Sequence, residues 1–390
     1  MRRIPVAVRE DWRETARQHG FSFHSPDDIP YWDESAYYRF TLRQIEDDLE
    51  APAEEIEQMC FAVVERAIRD SEILRRLAIP EPFWSHIAES WRRQDRNLYG
   101  RLDFSYNGTA PAKLLEYNAD TPTTLYESAI FQWNWLEEAM ERGLIPMGCD
   151  QFNSLHERLV DALARFGIVG PLHLACASGS EEDRGTVAYI EDCARQAGLE
   201  TRFLHMEDIG IDGNGRFTDL DDDAIATLFK LYPWEWIMVE EFGRHVPTSG
   251  ARFIEPAWKA VVSNKGVLAL LWEMFEGHPN LLPTYFADDA RAAALSRPYV
   301  RKPLFSREGR NVEIVGEAGD AAADTRGVAG PYGAEGHVIQ AFHPLPNFDD
   351  RYPMLGCWLV ASQAAGMCVR EDRGLITTND ARFIPHVILD

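Results

Sequence analysis

The feature that most constrains this chain is a polar hairpin pattern in residues 101–124. Two short extended runs flank Asn107-Gly108, a dipeptide typical of hairpin turns because both residues tolerate positive φ. Alternate side chains of a strand share a face, so two polar residues of each run point the same way. With these faces aligned, the hairpin would present a guanidinium, two carboxylates and an amide, from Arg101, Asp103, Glu116 and Asn118.

This set of side chains suits a hard cation. Mg²⁺ prefers oxygen ligands, and Asp, Glu and Asn without a nearby His or Cys favour Mg²⁺ over Zn²⁺. Arg101 is suited to hold a phosphoryl group through two hydrogen bonds. An acidic, solvated hairpin with a local ion pair is equally compatible with the spacing. The pattern alone leaves both interpretations open.

Composition narrows the class of partner. The chain has 390 residues with 39 basic and 63 acidic side chains, which gives a net charge of −24. An acidic surface repels phosphodiester backbones, so nucleic-acid binding is not expected. The charge would suit a cationic substrate such as a polyamine, although solubility explains it more simply.

The six cysteines are scattered without CxxC pairing, which indicates buried free thiols in a reducing compartment. The N-terminus lacks the apolar segment of a signal peptide. There is also no run of about 18 apolar residues, so no membrane span or membrane partner is expected. These features predict a cytoplasmic protein.

Periodicity divides the chain into a helical part and a mixed part. Helices are predicted over 8–20, 39–78 (with Pro52 separating two of them), 83–99, 125–141, 151–166 and 256–275. A βαβ unit is predicted from strand 172–176 to strand 200–205. Later strands are predicted over 299–305, 311–315, 337–340, 357–361 and 366–370, with a mobile loop over 316–336.

Three local features carry both a structural and a functional interpretation. Ser180-Glu181-Glu182 is a good helix N-terminus, and it also follows a parallel strand where ligands often bind. A lone lysine on a helix is normally solvated, but Lys265 shares a helix face with apolar residues, which would let its stem be buried. Residues 306–309 form a Gly-containing turn that could close over phosphates, although an ordinary surface hairpin explains the pattern as well.

Several short motifs, taken in order, resemble the glutathionylspermidine synthase family. They are Arg-Leu-Asp at 101–103, Glu-Tyr-Asn-Ala-Asp at 116–120, Ser-Asn-Lys at 263–265, Tyr-Val-Arg-Lys-Pro-Leu at 299–304 and Arg-Glu-Asp at 370–372. Pro-Leu-Pro-Asn-Phe-Asp at 344–349 and Gly-Leu-Ile-Thr-Thr-Asn at 374–379 resemble its stand-alone synthetase-like branch. The order and spacing match over nearly the whole chain.

The resemblance implies an α/β (α+β) ATP-grasp fold in one synthetase domain over 1–390. Its approximate subregions are a helical region with the hairpin (1–165), a βαβ pre-ATP-grasp region (166–250), an ATP lid (251–336), and a hinge with the C-terminal sheet (337–390). Residue 1 enters the synthetase region almost directly, so the amidase domain of bifunctional members is not expected.

The resemblance also implies a function. It predicts an ATP- and Mg²⁺-dependent carbon–nitrogen ligase that joins a peptide-like carboxylate to an amine through an acyl phosphate. Arg101 would be catalytic, and Asp103, Glu116 and Asn118 would bind Mg²⁺. ATP would be bound by Lys265, Lys302, Glu308, Gly309, Gln340, Ala341, Phe342, His343, Leu375, Ile376 and Thr377. The substrate would contact Thr121, Thr123 and Glu182.

The chain departs from the bifunctional members at the substrate pocket. Leu231 follows Lys230 where those members place a hydroxyl residue, and Thr121 and Thr123 replace serines. The carboxylate and amine are therefore small molecules whose identities the sequence does not give. Two other functions stay open, a nucleotide-binding module without ligase turnover and an acid/base hydrolase that uses Glu116 with Asp120.

Overall fold

The computed structural model describes residues 1–25, 30–316 and 327–390, which form helices and strands in several packed layers. The α-helices are α1 (Trp12–Gln18), α2 (Leu42–Ile45), α3 (Ala51–Ala67), α4 (Ser71–Arg76), α5 (Trp84–Arg92), α6 (Gln132–Glu141), α7 (Leu155–Ala164), α8 (Glu181–Gln196), α9 (Trp234–Ile237), α10 (Lys259–Val262) and α11 (Gly266–Met274). The strands are β1 (Arg2–Pro5), β2 (Ala36–Phe40), β3 (Tyr99–Ser105), β4 (Lys113–Asn118), β5 (Leu172–Cys176), β6 (Thr201–His205), β7 (Gly210–Ile211), β8 (Phe217–Thr218), β9 (Thr227–Leu231), β10 (Arg252–Ile254), β11 (Thr284–Phe286), β12 (Tyr299–Pro303), β13 (Glu313–Val315), β14 (His337–Ala341), β15 (Tyr352–Val360), β16 (Gln363–Asp372), β17 (Arg382–Ile384) and β18 (His386–Ile388).

The predicted polar hairpin is part of the central antiparallel sheet, whose strand order is β17-β16-β15-β3-β4. Arg101 lies opposite Asn118 and Asp103 lies opposite Glu116, with a bulge immediately after Asp103. The polar faces of the two strands are therefore aligned, as the alternation predicts. Every residue of β3 and β15 is buried, so this polar face lies inside the protein. A solvated surface hairpin is ruled out.

A second sheet is parallel and contains the predicted βαβ unit. Its order is β10-β9-β5-β6, and α8 connects β5 to β6. The Ser180 side chain accepts a hydrogen bond from the Asp183 backbone N–H at 3.2 Å, which caps α8. Gly198, with φ of +82°, lies in the turn beyond α8. Local signals in the sequence were sufficient to predict this unit.

The third sheet, β11-β14-β12-β13, covers one side of the central hairpin. Strands β12 and β13 form the predicted hairpin, and β14 pairs antiparallel with β12. The loop predicted over 316–336 includes residues 317–326, which lie outside the described residues.

A small sheet of order β1-β2-β18 joins the two chain ends. β14 lies in one sheet with β11, β12 and β13, and β3 and β4 lie in one sheet with β15, β16 and β17. Each of these sheets therefore contains strands from more than one predicted subregion. The subregion boundaries stay predictions.

The expected separation of two helices at Pro52 is wrong. Residues 46–50 form a π-helical turn that runs directly from α2 into α3, and Pro52 lies within the first two positions of α3. The Ala51 N–H donates to the Glu46 carbonyl, five residues back. Proline has no N–H to donate, but the π-helical turn before it carries the chain into α3 without a break. The helical path is therefore continuous.

The expected single helix over 256–275 is also wrong, because residues 263–265 separate α10 from α11. The Asn264 amide donates to the Leu77 carbonyl at 2.7 Å and accepts from the Gly266 N–H at 2.8 Å. The Lys265 N–H donates to the Leu304 carbonyl at 2.9 Å. Contacts with distant chain segments thus replace helical hydrogen bonds. The helix predicted over 83–99 likewise ends at Arg92, and β3 begins at Tyr99.

Apolar packing joins these layers. The largest buried cluster links α3, α10 and α11 to the central hairpin, and a second cluster joins α7 and α8 to the parallel sheet. The six cysteines are buried and unpaired, as their spacing predicts. Among the described helices, none has both the length and the apolar character needed to cross a bilayer.

Candidate functional site

A cavity of about 1520 Å³, counting space open to solvent, lies between the central sheet, the sheet of order β11-β14-β12-β13 and the start of α8. It gathers side chains that are distant in the sequence. The predicted site residues that line it are Arg101, Glu116, Asn118, Thr121, Thr123, Glu182, Lys265, Lys302, Glu308, Gly309, Gln340, Ala341, Phe342, His343, Leu375, Ile376 and Thr377. Asp103 is the one predicted site residue that does not line it.

Arg101 is fixed at the inner end of the cavity. Its guanidinium donates to both carboxylate oxygens of Asp103, at 2.7 and 2.9 Å, and to the Thr123 carbonyl at 2.6 Å. Gly356 leaves the room that this requires, because a Cβ at that position would lie 2.6 Å from Cδ of Arg101. The guanidinium is thus held by several hydrogen bonds before any ligand arrives.

Asp103 lies behind the cavity wall and is fully buried. Its Oδ2 also accepts from the Asn118 amide at 2.9 Å. Burial raises the pKa of Asp103 even though Arg101 opposes the shift. Among the described residues, no group of three or more His, Cys, Asp or Glu side chains is arranged to hold a metal ion. The two hairpin carboxylates differ in their access to the cavity, because Glu116 lines it and Asp103 does not.

Glu116 faces two lysines across the cavity. Lys265 Nζ lies 3.2 Å from one oxygen of Glu116, and the Asn118 amide donates to the other at 3.2 Å. Burial alone would raise the pKa of Glu116, but the ammonium groups of Lys265 and Lys302 outweigh it and hold the pKa below its usual value. Glu116 is consequently ionised at neutral pH.

The two lysines come from different elements, Lys302 from β12 and Lys265 from the segment between α10 and α11. Lys302 Nζ donates to the Leu115 carbonyl and to the Gln340 side chain, both at 2.7 Å. Lys265 Nζ donates to the Ser306 carbonyl at 2.8 Å, and its stem is buried as predicted. Burial lowers the pKa of Lys302 to about 8, with Glu116 opposing the shift. Two ammonium groups that share one carboxylate leave this part of the cavity suited to an anion.

The Glu308-Gly309 turn and the segment after β14 form another part of the cavity wall. Glu308 and Gly309 have φ of +55° and +68°, and a Cβ at Gly309 would lie 2.8 Å from the Thr377 carbonyl. The turn therefore packs closely on the 375–377 segment. The walls here are mainly apolar, from Leu115, Leu282, Val300, Val312, Ile314, Leu345, Met354, Leu375 and Ile376.

The predicted substrate residues lie near the Glu308-Gly309 turn. Arg307, the residue before this turn, contacts Thr121, and the charge of Glu308 acts on Glu182. Thr121 Oγ1 accepts from Arg307 Nη2 at 2.6 Å. Glu182 lies in the first turn of α8, and burial raises the pKa of its carboxyl. The structural interpretation of the Ser180-Glu181-Glu182 segment is confirmed, because Ser180 caps the helix; Glu182 lines the cavity, and its role in binding stays a prediction.

The buried pair of Lys230 and Asp120 was not predicted from the sequence, where Asp120 was considered only as a carboxylate of the hydrolase alternative. Lys230 Nζ donates to Asp120 Oδ1 at 2.6 Å, and the other oxygen accepts from the Trp234 N–H at 2.8 Å. Burial lowers the pKa of Lys230, with Asp120 opposing the shift. The sequence feature that could have indicated this pair is Lys230 itself, a lysine inside an apolar strand that is followed by an aromatic turn.

Arg307 and Arg370 were also missed, although both lie in segments that the sequence analysis quoted. Each lines the cavity and has a buried Nε without a hydrogen-bond partner among the described residues. Arg307 also lies 3.7 Å from Glu235, and Arg370 donates to the Thr378 carbonyl at 2.9 Å. Both are cations that line the cavity, which makes them candidate ligand contacts.

Comparison with known proteins covers nearly the whole chain. The profile of a family described as glutathionylspermidine synthase, pre-ATP-grasp, matches residues 3–389. A Haemophilus influenzae protein whose name assigns it provisionally to the acid–amine ligases is 41% identical over 97% of both chains. The trypanothione synthetase of Crithidia fasciculata is 30% identical over 82% of this chain and 51% of its own length.

A bifunctional glutathionylspermidine synthetase/amidase of Escherichia coli is 24% identical over 90% of this chain and 60% of its own length. The chain thus spans only about half to three fifths of these two longer relatives. Among solved structures, a glutathione synthetase-like effector from Globodera pallida superposes with a TM-score of 0.54 at 14% identity, covering 90% of this chain and 89% of that one. This similarity concerns the fold alone.

These findings confirm the predicted α/β fold of ATP-grasp type and the prediction that the chain is an enzyme of the ligase class. The family match extends from one end of the chain to the other, and the motifs that suggested it meet in one cavity. This chain therefore belongs to the glutathionylspermidine synthase pre-ATP-grasp family.

Proposed function

We propose that this chain uses ATP and Mg²⁺ to join a peptide-like carboxylate to an amine through an acyl phosphate. One observation carries the proposal. Lys265, Lys302 and Arg101, three cations from separate parts of the chain, line the same cavity as the ionised Glu116. Such a set suits a reaction in which negative charge moves between phosphate and carboxylate oxygens.

ATP would lie along the lid side of the cavity. Lys265 and Lys302 would bind its phosphates, and the Glu308-Gly309 turn would close over them. The segments 340–343 and 375–377, with the apolar walls beside them, would hold the adenine. An apolar slot with a few polar groups at one end is the usual form of such a site.

The oxygen donors of the hairpin fit Mg²⁺. Glu116 and Asn118 line the cavity, and their carboxylate and amide oxygens are the hard ligands that this ion prefers. Asp103 would complete the set, although both of its oxygens accept hydrogen bonds from Arg101 and Asn118 in this structure. When bound, Mg²⁺ would supply charge neutralisation at the phosphates.

The proposed chemistry has two steps. An oxygen of the substrate carboxylate attacks the γ-phosphorus of ATP, so that ADP leaves and an acyl phosphate forms. The amine then attacks the acyl carbon, phosphate leaves, and the nitrogen loses a proton. Arg101 lies where it could stabilise charge on the transferring phosphoryl group and on the tetrahedral intermediate. Positioning and fixed charges provide the rate enhancement, and no enzyme nucleophile is needed.

The carboxylate substrate would lie at the end opposite the adenine. Thr121, Thr123 and Glu182 offer hydroxyl and carboxylate contacts there, and Arg307 adds a cation to the cavity wall. The name of the Escherichia coli relative points to glutathionylspermidine as that protein's product. Leu231 and the threonines differ from the pocket of the bifunctional members, so we do not carry glutathione or spermidine over to this chain.

The hydrolase alternative is disfavoured by the geometry of its two carboxylates. Asp120 is held by Lys230 and by the Trp234 N–H, and Glu116 is held by Lys265. The lysines keep the pKa of Glu116 low, although burial opposes them, which suits neither a general acid nor a base at neutral pH. A module that binds nucleotide without turnover would not need the carboxylate end of the cavity.

The test is ADP release from Mg-ATP by the purified chain, with short peptides offered in combination with polyamines and amino acids. We expect release to require both a carboxylate and an amine. Lys302→Met should abolish it, whereas Lys113→Met, which makes the same change on β4 outside the cavity, should not. ATP binding by calorimetry without ADP release for any combination would favour the non-catalytic module. Full activity of Lys302→Met would exclude the assigned role of that lysine.

A further inference from the structure

A second cavity of about 690 Å³, counting space open to solvent, adjoins the first. The two cavities share Glu235, Ser263 and Phe305 as lining residues. Glu235 lies in α9, directly after the aromatic turn that follows β9. The second cavity therefore offers a route to the substrate end of the first.

The walls of the second cavity are mostly apolar or aromatic. They are formed by Ala78, Ile79, Pro80, Trp234, Trp236, Met238, Val239, Ala260, Phe305 and Tyr332. Among the described residues that line it, the only charged side chains are Glu235 and Glu335, and both are acidic. A ligand of this cavity would need an apolar body and a positive or hydrogen-donating end.

Glu235 stands at the junction with an unfilled capacity to accept hydrogen bonds. Its side chain is 17% exposed, and no described side chain donates a hydrogen bond to it. The nearest cation, Arg307, lies 3.7 Å away and directs that nitrogen to Thr121 at 2.6 Å. An ammonium or amine N–H entering the junction would supply the missing donor.

We propose that the second cavity binds the amine substrate and that Glu235 receives its reacting end. The amine would carry an uninterrupted apolar stem, because walls such as Ile79, Trp236 and Met238 offer no charged partner to a nitrogen within the stem. The second acidic residue of this cavity, Glu335, is exposed to water. The inference rests on the proposed ligase function and assigns that function an amine class. It also excludes spermidine, whose stem is interrupted by a charged nitrogen.

The inference can be tested by calorimetry on the full chain with 1,8-diaminooctane and spermidine. The two molecules have chains of the same length and differ at the interior ammonium. We expect 1,8-diaminooctane to bind at least about tenfold more tightly than spermidine, and octanoate, which has an anionic end, to bind more weakly still. Equal or tighter binding of spermidine would overturn the inference.

Two comparisons between proteins test whether the diamine binds in the second cavity. Glu235→Gln keeps the shape of the side chain and removes its charge, and it should weaken 1,8-diaminooctane about tenfold relative to the parent chain. Val239 is 75% exposed and lines the second cavity, so it can be changed without disturbing the core. Val239→Lys should weaken binding of the diamine more than Val239→Met, which has a similar length without charge. Unchanged affinity in both Glu235→Gln and Val239→Lys would also overturn the inference.

Activity separates this inference from the proposed function. ADP release with an amine whose KM is the same in Glu235→Gln and Val239→Lys as in the parent would leave the ligase standing and place the amine elsewhere. Binding of 1,8-diaminooctane that depends on Glu235, with no ADP release for any carboxylate, would support the cavity and contradict the ligase.

Discussion

Lys230 and Asp120 form an ion pair, with 2.6 Å between Nζ and Oδ1, that joins the end of the central hairpin to the parallel sheet. Both side chains are almost fully buried. Asp120 directly precedes Thr121, so this pair fixes the segment that would hold the carboxylate substrate. The pair places two buried charges next to the cavity, and Asp120 is part of the cavity wall.

Breaking this pair should destabilise the fold. Asp120→Asn removes the negative charge and leaves the Lys230 ammonium buried without its counterion, which typically costs about 3–5 kcal/mol. Urea denaturation followed by circular dichroism would measure the loss in the free energy of unfolding. Glu14→Gln, which breaks the exposed pair with Arg17, should change stability by less than about 0.5 kcal/mol and serves as the control. Equal effects of the two changes would contradict the assignment.

Gly356 should control activity more than stability through its contact with Arg101. A Cβ at this position would lie 2.6 Å from both Arg101 Cδ and Cys368 Sγ, so Gly356→Ala must displace the guanidinium or the strand. We expect at least about a tenfold loss of kcat, because a displacement near 1 Å at a catalytic group can cost far more than that. ADP release and thermal melting, measured together, would separate the two effects.

Gly213→Ala is the control for that change. A Cβ at Gly213 meets no atom within 4 Å, and φ there is not positive, so this variant should behave like the parent chain. A Gly356→Ala protein with unchanged kcat would show that Arg101 needs neither this space nor this position.

Local sequence signals predicted the hairpin register and the βαβ unit because each depends on neighbouring residues. Period-2 alternation placed Arg101, Asp103, Glu116 and Asn118 on one face, and the structure aligns that face. The break between α10 and α11 could not be predicted in this way, since Asn264 obtains its partner from Leu77, 187 residues away. The motif resemblance identified most of the residues that line the candidate cavity. Residue spacing alone would not have identified them.

Other features of the site depend on contacts between distant parts of the chain. Lys230 and Asp120 are 110 residues apart, and neither residue carries a local signal for the other. Arg307 and Arg370 lie within recognisable segments, but only the structure shows that both line the cavity. Gly356 could not be identified from the sequence for the same reason, because its role depends on its contact with the Arg101 side chain.

Glu127 should make the protein less stable as the pH rises. It is fully buried, and burial with the nearby charge of Glu182 raises the pKa of Glu127 to about 8. Because the folded pKa lies above the unfolded value, its contribution to stability is complete below about pH 4.5 and is lost toward pH 8. The cost is about 1.4 kcal/mol per pH unit within this window. Glu127→Gln should remove this slope while still accepting from the Tyr31 hydroxyl. Urea denaturation at pH 5, 6, 7 and 8 would measure it, and equal slopes for the two proteins would contradict the prediction.

His386 should give the opposite dependence, a loss of stability as the pH falls. The imidazole is fully buried, accepts from the Phe152 N–H through Nε2 at 3.1 Å, and contacts the Gln132 amide oxygen through Nδ1 at 3.0 Å. Burial lowers the pKa of His386 to about 3, so the ring stays neutral in the fold while it takes up a proton in the unfolded chain below about pH 6.5. Stability should therefore fall by about 1.4 kcal/mol per pH unit from pH 6.5 downward. His386→Gln keeps an acceptor for the Phe152 N–H and cannot titrate, so its slope should be smaller by that amount even if its stability at pH 8 is lower. Thermal melting of both proteins from pH 5 to pH 8 would measure the difference, and parallel curves would show that His386 does not contribute to acid sensitivity.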